Sequence, residues 1–101
     1  MAYIRRGEGL VITDASTYSV KEAEELIKEF RKNNPNVEGF KLRSDKHFLR
    51  EWAVHALAYR WGIMKSKAKD AFLQFDMAPE VKFMYNVLGP IAIMFLKLYK
   101  S

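Results

Sequence analysis

The stretch from Ser44 to about Trp61 constrains the fold more than any other part of the chain. Phe48, Leu49, Trp52, Ala53, Ala56, Leu57 and Tyr59 recur at helical spacing and cover more than half of a helix circumference. One neighbouring element cannot hide so wide an apolar surface, so this helix is expected at the centre of the core, ended by Gly62. Half of the 101 residues are hydrophobic, enough to build such a core in one domain spanning residues 1–101. The chain has no cysteine, which excludes a disulfide frame, thiolate metal sites and a cysteine nucleophile.

The elements around that helix are legible to different degrees. Tyr3–Arg6 and Leu10–Thr13 read as strands joined by Gly7-Glu8-Gly9 in a hairpin. Ser19-Val20-Lys21-Glu22 is a capping box, with serine at the N-cap and glutamate at the third helical position. Ala23, Leu26, Ile27 and Phe30 then form one apolar face, opposite a charged face that includes the pair Glu24 and Lys28. Pro35 stops this helix. Gly39–Arg43 alternates apolar and basic residues and reads as a strand, which could pair in parallel with Leu10–Thr13 through a right-handed crossover. Lys69–Phe75 reads as a short helix, and a last apolar helix begins near Glu80 with a break or kink at Gly89-Pro90. The expected fold is α+β. A two- or three-stranded sheet, built from the N-terminal hairpin and a βαβ crossover, packs with three to four helices.

The formal net charge of +5 is concentrated. Residues 41–70 hold eight basic and three acidic side chains, while the other positions carry nine of each sign. Clustered cations track an acidic protein surface or a nucleic-acid backbone, with affinity that falls as salt rises. Arg43, Lys46, Arg50, Lys65, Lys67 and Lys69 are therefore the candidate partner-binding residues. No helix-turn-helix pattern, RNP aromatic motif or zinc finger accompanies them, which favours a protein partner, such as the target of an inhibitor or adaptor, over nucleic acid.

Catalytic patterns are sparse. No GxSxG elbow, P-loop, GxGxxG fingerprint or HExxH motif occurs. His47, Glu51 and His55 line one stripe of the central helix, but the two histidines stand about 12 Å apart by helical rise, too far to share one ion. His55 and Asp70 could form a general base and its orienter in a small hydrolase-like enzyme. The expected protein is instead non-enzymatic and needs no cofactor. His55-x-x-x-Tyr59-Arg60-x-Gly62, followed by Lys69-Asp70-x-Phe72-Leu73, resembles small proteins of bacteriophages and mobile elements over roughly residues 37–89. That resemblance implies no assigned activity. A fainter likeness is to the phospholipase A2 helix pair, but Ala56 stands where that family places its calcium-binding aspartate.

The longest uncharged stretch, Phe83–Leu96, is 14 residues and includes Asn86, Gly89 and Pro90, whereas a spanning helix needs about 20 mostly apolar residues. Met1-Ala2-Tyr3-Ile4 leads into Arg5-Arg6 rather than an apolar run, unlike a signal peptide. A cytoplasmic chain without a transmembrane span is expected. The Met- and aromatic-rich last helix is a candidate surface for a homo-oligomer or, with less weight, for a membrane surface.

Overall fold

A computed structural model of the chain describes residues 2–5, 9–62 and 69–100. Strands β1 (Ala2–Arg5) and β2 (Gly9–Ile12) are followed by a 3-10 turn at Ala15–Thr17. Helices α1 (Val20–Asn33), α2 (Gly39–Leu42) and α3 (Asp45–Arg60) come next, then β3 (Ala71–Gln74) and α4 (Pro79–Lys100). The fold is α+β with an apolar C-terminal helix. The turn at Gly7-Glu8 lies outside the described residues.

Helix α3 is the centre. Phe48, Trp52, Ala53 and Ala56 have no solvent exposure, and the helix contacts α1, α4, β3 and the 3-10 turn. Its ends follow local chemistry. Ser44 is the N-cap residue, although its hydroxyl bonds His47 Nδ1 at 3.1 Å rather than a main-chain amide. At the other end Gly62 adopts φ 74°, the left-handed conformation that glycine enters without a Cβ penalty. Polar side chains on α3 tie down the 3-10 turn and the approach to β3. Trp52 Nε1 donates to the Ala15 carbonyl at 2.9 Å, Arg60 Nη2 to the Ser16 carbonyl at 2.7 Å, and the Tyr59 hydroxyl to the Asp70 carbonyl at 2.7 Å.

The sheet differs from the crossover expected. Its order is β1-β2-β3 and both pairings are antiparallel, with Leu10 opposite Leu73 and Ile12 opposite Ala71. These four side chains share the face turned to the helices and join the core. Residues 39–42 form a helical turn rather than a strand. A window of five residues satisfies period 2 and a single helical turn about equally well. Packing decides: Phe40 turns inward against Phe48 and Phe75, with ring centroids 5.9 and 5.4 Å away. Ala71–Gln74 is a strand rather than a helix because β2, some sixty residues earlier, supplies the ladder. No local pattern reports such a partner. Helix α4 runs unbroken through Pro90, at the cost of the bond its missing amide would have made to the Asn86 carbonyl.

Helix α1 carries the capping box as read: Glu22 N donates to Ser19 Oγ at 3.2 Å and Ser19 N to Glu22 Oε1 at 2.9 Å. Ser19→Ala frees one of these amides and is expected to cost about 1 kcal/mol in urea denaturation. Trp52→Ala combines a large core cavity with loss of the bond to Ala15. It should cost roughly 3–5 kcal/mol, a large share of a domain stability of about 5–15 kcal/mol. A loss below about 1 kcal/mol would remove Trp52 from the core in solution.

Candidate functional site

The site is built on a buried ion pair. Arg43 directly follows α2 in extended conformation. Its guanidinium lies 5.0 Å from the Phe48 ring centroid and reaches Glu51, which faces inward from the second turn of α3. The two side chains are 5% and 1% exposed. Arg43 Nη1 donates to Glu51 Oε1 and, at 2.6 Å, to the Gln74 carbonyl, while Nη2 donates to the His47 carbonyl at 3.2 Å. Glu51 Oε2 accepts the Gln74 amide at 3.1 Å. Both main-chain polar groups at the end of β3 are thus held by one charge pair. Neither charge could be buried alone without a penalty of several kcal/mol.

Beside the pair lies a small pocket of about 70 Å³ lined by Arg43, His47, Lys82 and Asn86. Arg50 bonds Asn86 Oδ1 at 3.3 Å across the same helix pair. Helices α3 and α4 can approach here because Gly89 lies against Arg50: a Cβ at Gly89 would overlap the arginine side chain. The pocket is electropositive. Burial first, then the charges of Arg43, Arg50, Lys46 and Lys82, hold the His47 imidazole below its ordinary pKa of 6.5, so it is neutral at pH 7. Pockets that enclose a metabolite usually span about 300–1,000 Å³. This one has room for no more than a group of a few atoms.

On the other side of Glu51 lies His55. Its Nε2 is 3.8 Å from Glu51 Oε2 and 3.4 Å from the Tyr85 hydroxyl, while Nδ1 is buried without a hydrogen-bond partner among the described residues. Burial, and secondarily the Glu51 charge, raises the Tyr85 pKa above its usual value of 10.0. Among the described residues the contacts of His55 are to Glu51 and Tyr85, while Asp70 Oδ1 accepts the Asp14 amide at 3.2 Å. The histidine–carboxylate stripe of α3 forms, but its carboxylate is already engaged by Arg43 and Gln74.

The structure separates the basic residues that the sequence groups together. Arg43 is buried in its ion pair and presents only an edge to the pocket. Lys46 is exposed, but it lies beside the carboxylates of Glu24 and Asp45. Arg50 spans to α4. Lys69 is exposed with φ 52°, and its carbonyl accepts the Ala15 amide. This places it near the Tyr59 end of α3, about 18 Å along the axis from His47. Lys65 and Lys67 lie outside the described residues. Lys82, 31 positions after Glu51 in an apolar helix, was not marked by any local charge cluster, yet it completes the pocket. Compared with known proteins, the chain matches no family model, no curated protein and no solved structure.

Removing one member of the buried pair should be costly, and removing both should cost less. Glu51→Ala strands the Arg43 guanidinium and is expected to lose about 3–5 kcal/mol. Arg43→Met combined with Glu51→Leu should lose less than that single change, as urea denaturation of the three proteins will report.

Proposed function

We propose that the protein is a non-enzymatic binding protein that docks on an acidic partner surface, preferentially that of another protein, as an inhibitor or adaptor does. The observation that carries this reading is the pocket at Arg43, His47, Lys82 and Asn86. It concentrates positive charge, its volume suits a carboxylate tip rather than a whole substrate, and Arg50 flanks it on α3. Exposed cations at the rim raise the on-rate for an acidic partner, while the buried pair keeps the pocket in one geometry. The resemblance to proteins of phages and mobile elements fits a small accessory binder. A cytoplasmic setting belongs to the same proposal.

The test uses an immobilised polyglutamate peptide and an unrelated DNA duplex over a salt series. Lys82 is exposed, so Lys82→Glu should fold normally. It should weaken peptide binding at least about tenfold, equivalent to about 1.4 kcal/mol. An anion in the pocket favours the protonated form of His47, whose pKa in the free protein lies below the ordinary value, so binding takes up a proton and tightens as pH falls toward that lowered pKa. His47→Gln should remove that pH dependence. Binding to DNA alone, with a steep salt slope, would replace this reading with a phosphate-tracking one. Peptide binding that Lys82→Glu leaves unchanged would defeat it.

A further inference from the structure

Helix α4 has two apolar faces, and among the described residues only one is packed. The inward face, with Gly89, Ala92 and Leu96 buried, packs on α3 and the core. A second face carries Met84, Val87, Ile91, Met94 and Leu98, spaced alternately by three and four residues and exposed by 41, 47, 46, 55 and 75%. Over Pro79–Leu98 the mean hydropathy is 1.4, but only 17% of the helix is buried. Lys82, Asn86 and Lys97 lie along one flank of this face, and Glu80 lies in line with it at its N-terminal end. On the other flank the exposed face continues into an apolar groove of about 350 Å³ between α3 and α4. Trp61, 52% exposed, stands at its edge against Phe95, ring centroids 5.6 Å apart.

We propose that this face pairs with the same face of a second copy, the two α4 helices lying antiparallel across a two-fold axis. Area is the first argument. Taking full side-chain areas on the order of 150–250 Å², the five stripe residues with Phe83, Leu88 and Trp61 expose roughly 800 Å² of apolar surface. The largest apolar patch on a typical monomer is about 300–600 Å². A standard protein interface buries about 800 Å² on each partner. The spacing is the second argument, because alternation by three and four residues is the seam along which paired helices interlock. Charge sets the direction. The stripe begins at Glu80 and ends beside Lys97. Antiparallel pairing sets Glu80 of one protomer near Lys97 of its partner and opposes the helix dipoles, whereas parallel pairing would juxtapose like charges. A lipid surface is the competing occupant. It is disfavoured because Glu80, one turn before Met84, sets an exposed carboxylate in line with the apolar stripe itself.

Sedimentation equilibrium of the whole chain, from about 1 μM to about 1 mM, should show a reversible transition from 11.8 kDa to twice that mass. Ile91→Lys, at the middle of the exposed face, should weaken self-association at least about a hundredfold while leaving far-ultraviolet circular dichroism unchanged. Val87→Glu provides a second variant should the first fail to fold. Glu80→Lys should weaken the dimer, and adding Lys97→Glu should restore it. A dimer indifferent to both face variants, or a charge swap that restores nothing, would overturn the proposed pairing. So would a chain that stays monomeric at the highest concentration. A monomer that sediments with phosphatidylcholine–phosphatidylglycerol vesicles, and loses them with Ile91→Lys, would assign the face to lipid instead.

Discussion

The Arg43–Glu51 pair decides how the two halves of this fold meet. A guanidinium and a carboxylate taken almost completely out of water must satisfy each other, and they do so while also bonding both main-chain groups of Gln74. The pair thus joins the chain leaving α2, the second turn of α3 and the end of β3. Three neighbours depend on it. The Phe40–Phe48–Phe75 cluster packs beneath the guanidinium. The His47 carbonyl accepts one of its N–H groups, and the electropositive pocket has Arg43 as one wall. Arg31 extends the arrangement from α1: its Nη2 donates to the Arg43 carbonyl at 2.7 Å, and its Nε bonds Asp45.

With that junction held, α3 can present different chemistry at its two ends. Its first turns, with Lys82 and Asn86 from α4, make the cationic pocket. Its middle and last turns hold the 3-10 turn through Trp52 and Arg60, and its end opens into the apolar groove beside Trp61. A basic side chain on α3 or just before it therefore does not by itself mark a docking surface. Arg43 and Arg60 serve the fold, whereas Arg50 reaches the pocket side through Asn86.

Helix α4 shows how composition and position combine. Its length and hydropathy suffice to cross a membrane, yet Lys82, Asn86 and Lys97 fall on one flank and its small residues, Gly89 and Ala92, meet α3. The small residues allow close helix approach, and the large apolar ones are left facing outward. Such surface is costly to leave in water.

The amino-acid sequence by itself determined the elements whose signals are local. The capping box at Ser19–Glu22 places the start of α1. The width of the apolar surface on residues 48–59 places α3 at the centre, and the glycines of Gly7-Glu8-Gly9 between two short apolar runs place the first two strands as a hairpin. Much of the site was legible only as residue types: Arg43 and Arg50 were marked by charge, and His47 by its stripe with Glu51. Tertiary structure decided the rest, because it depended on groups far apart in the chain. Residues 39–42 became a helical turn once Phe40 had an aromatic pocket to fill, and residues 71–74 became a strand once β2 offered unpaired main-chain groups. Arg43 left the surface because Glu51 and Gln74 could satisfy its charge inside. Lys82 joined the site because Gly89 lets α4 lie against α3. A charge or an apolar run is written in one dimension, but whether it is buried, paired or exposed is settled by what folds against it.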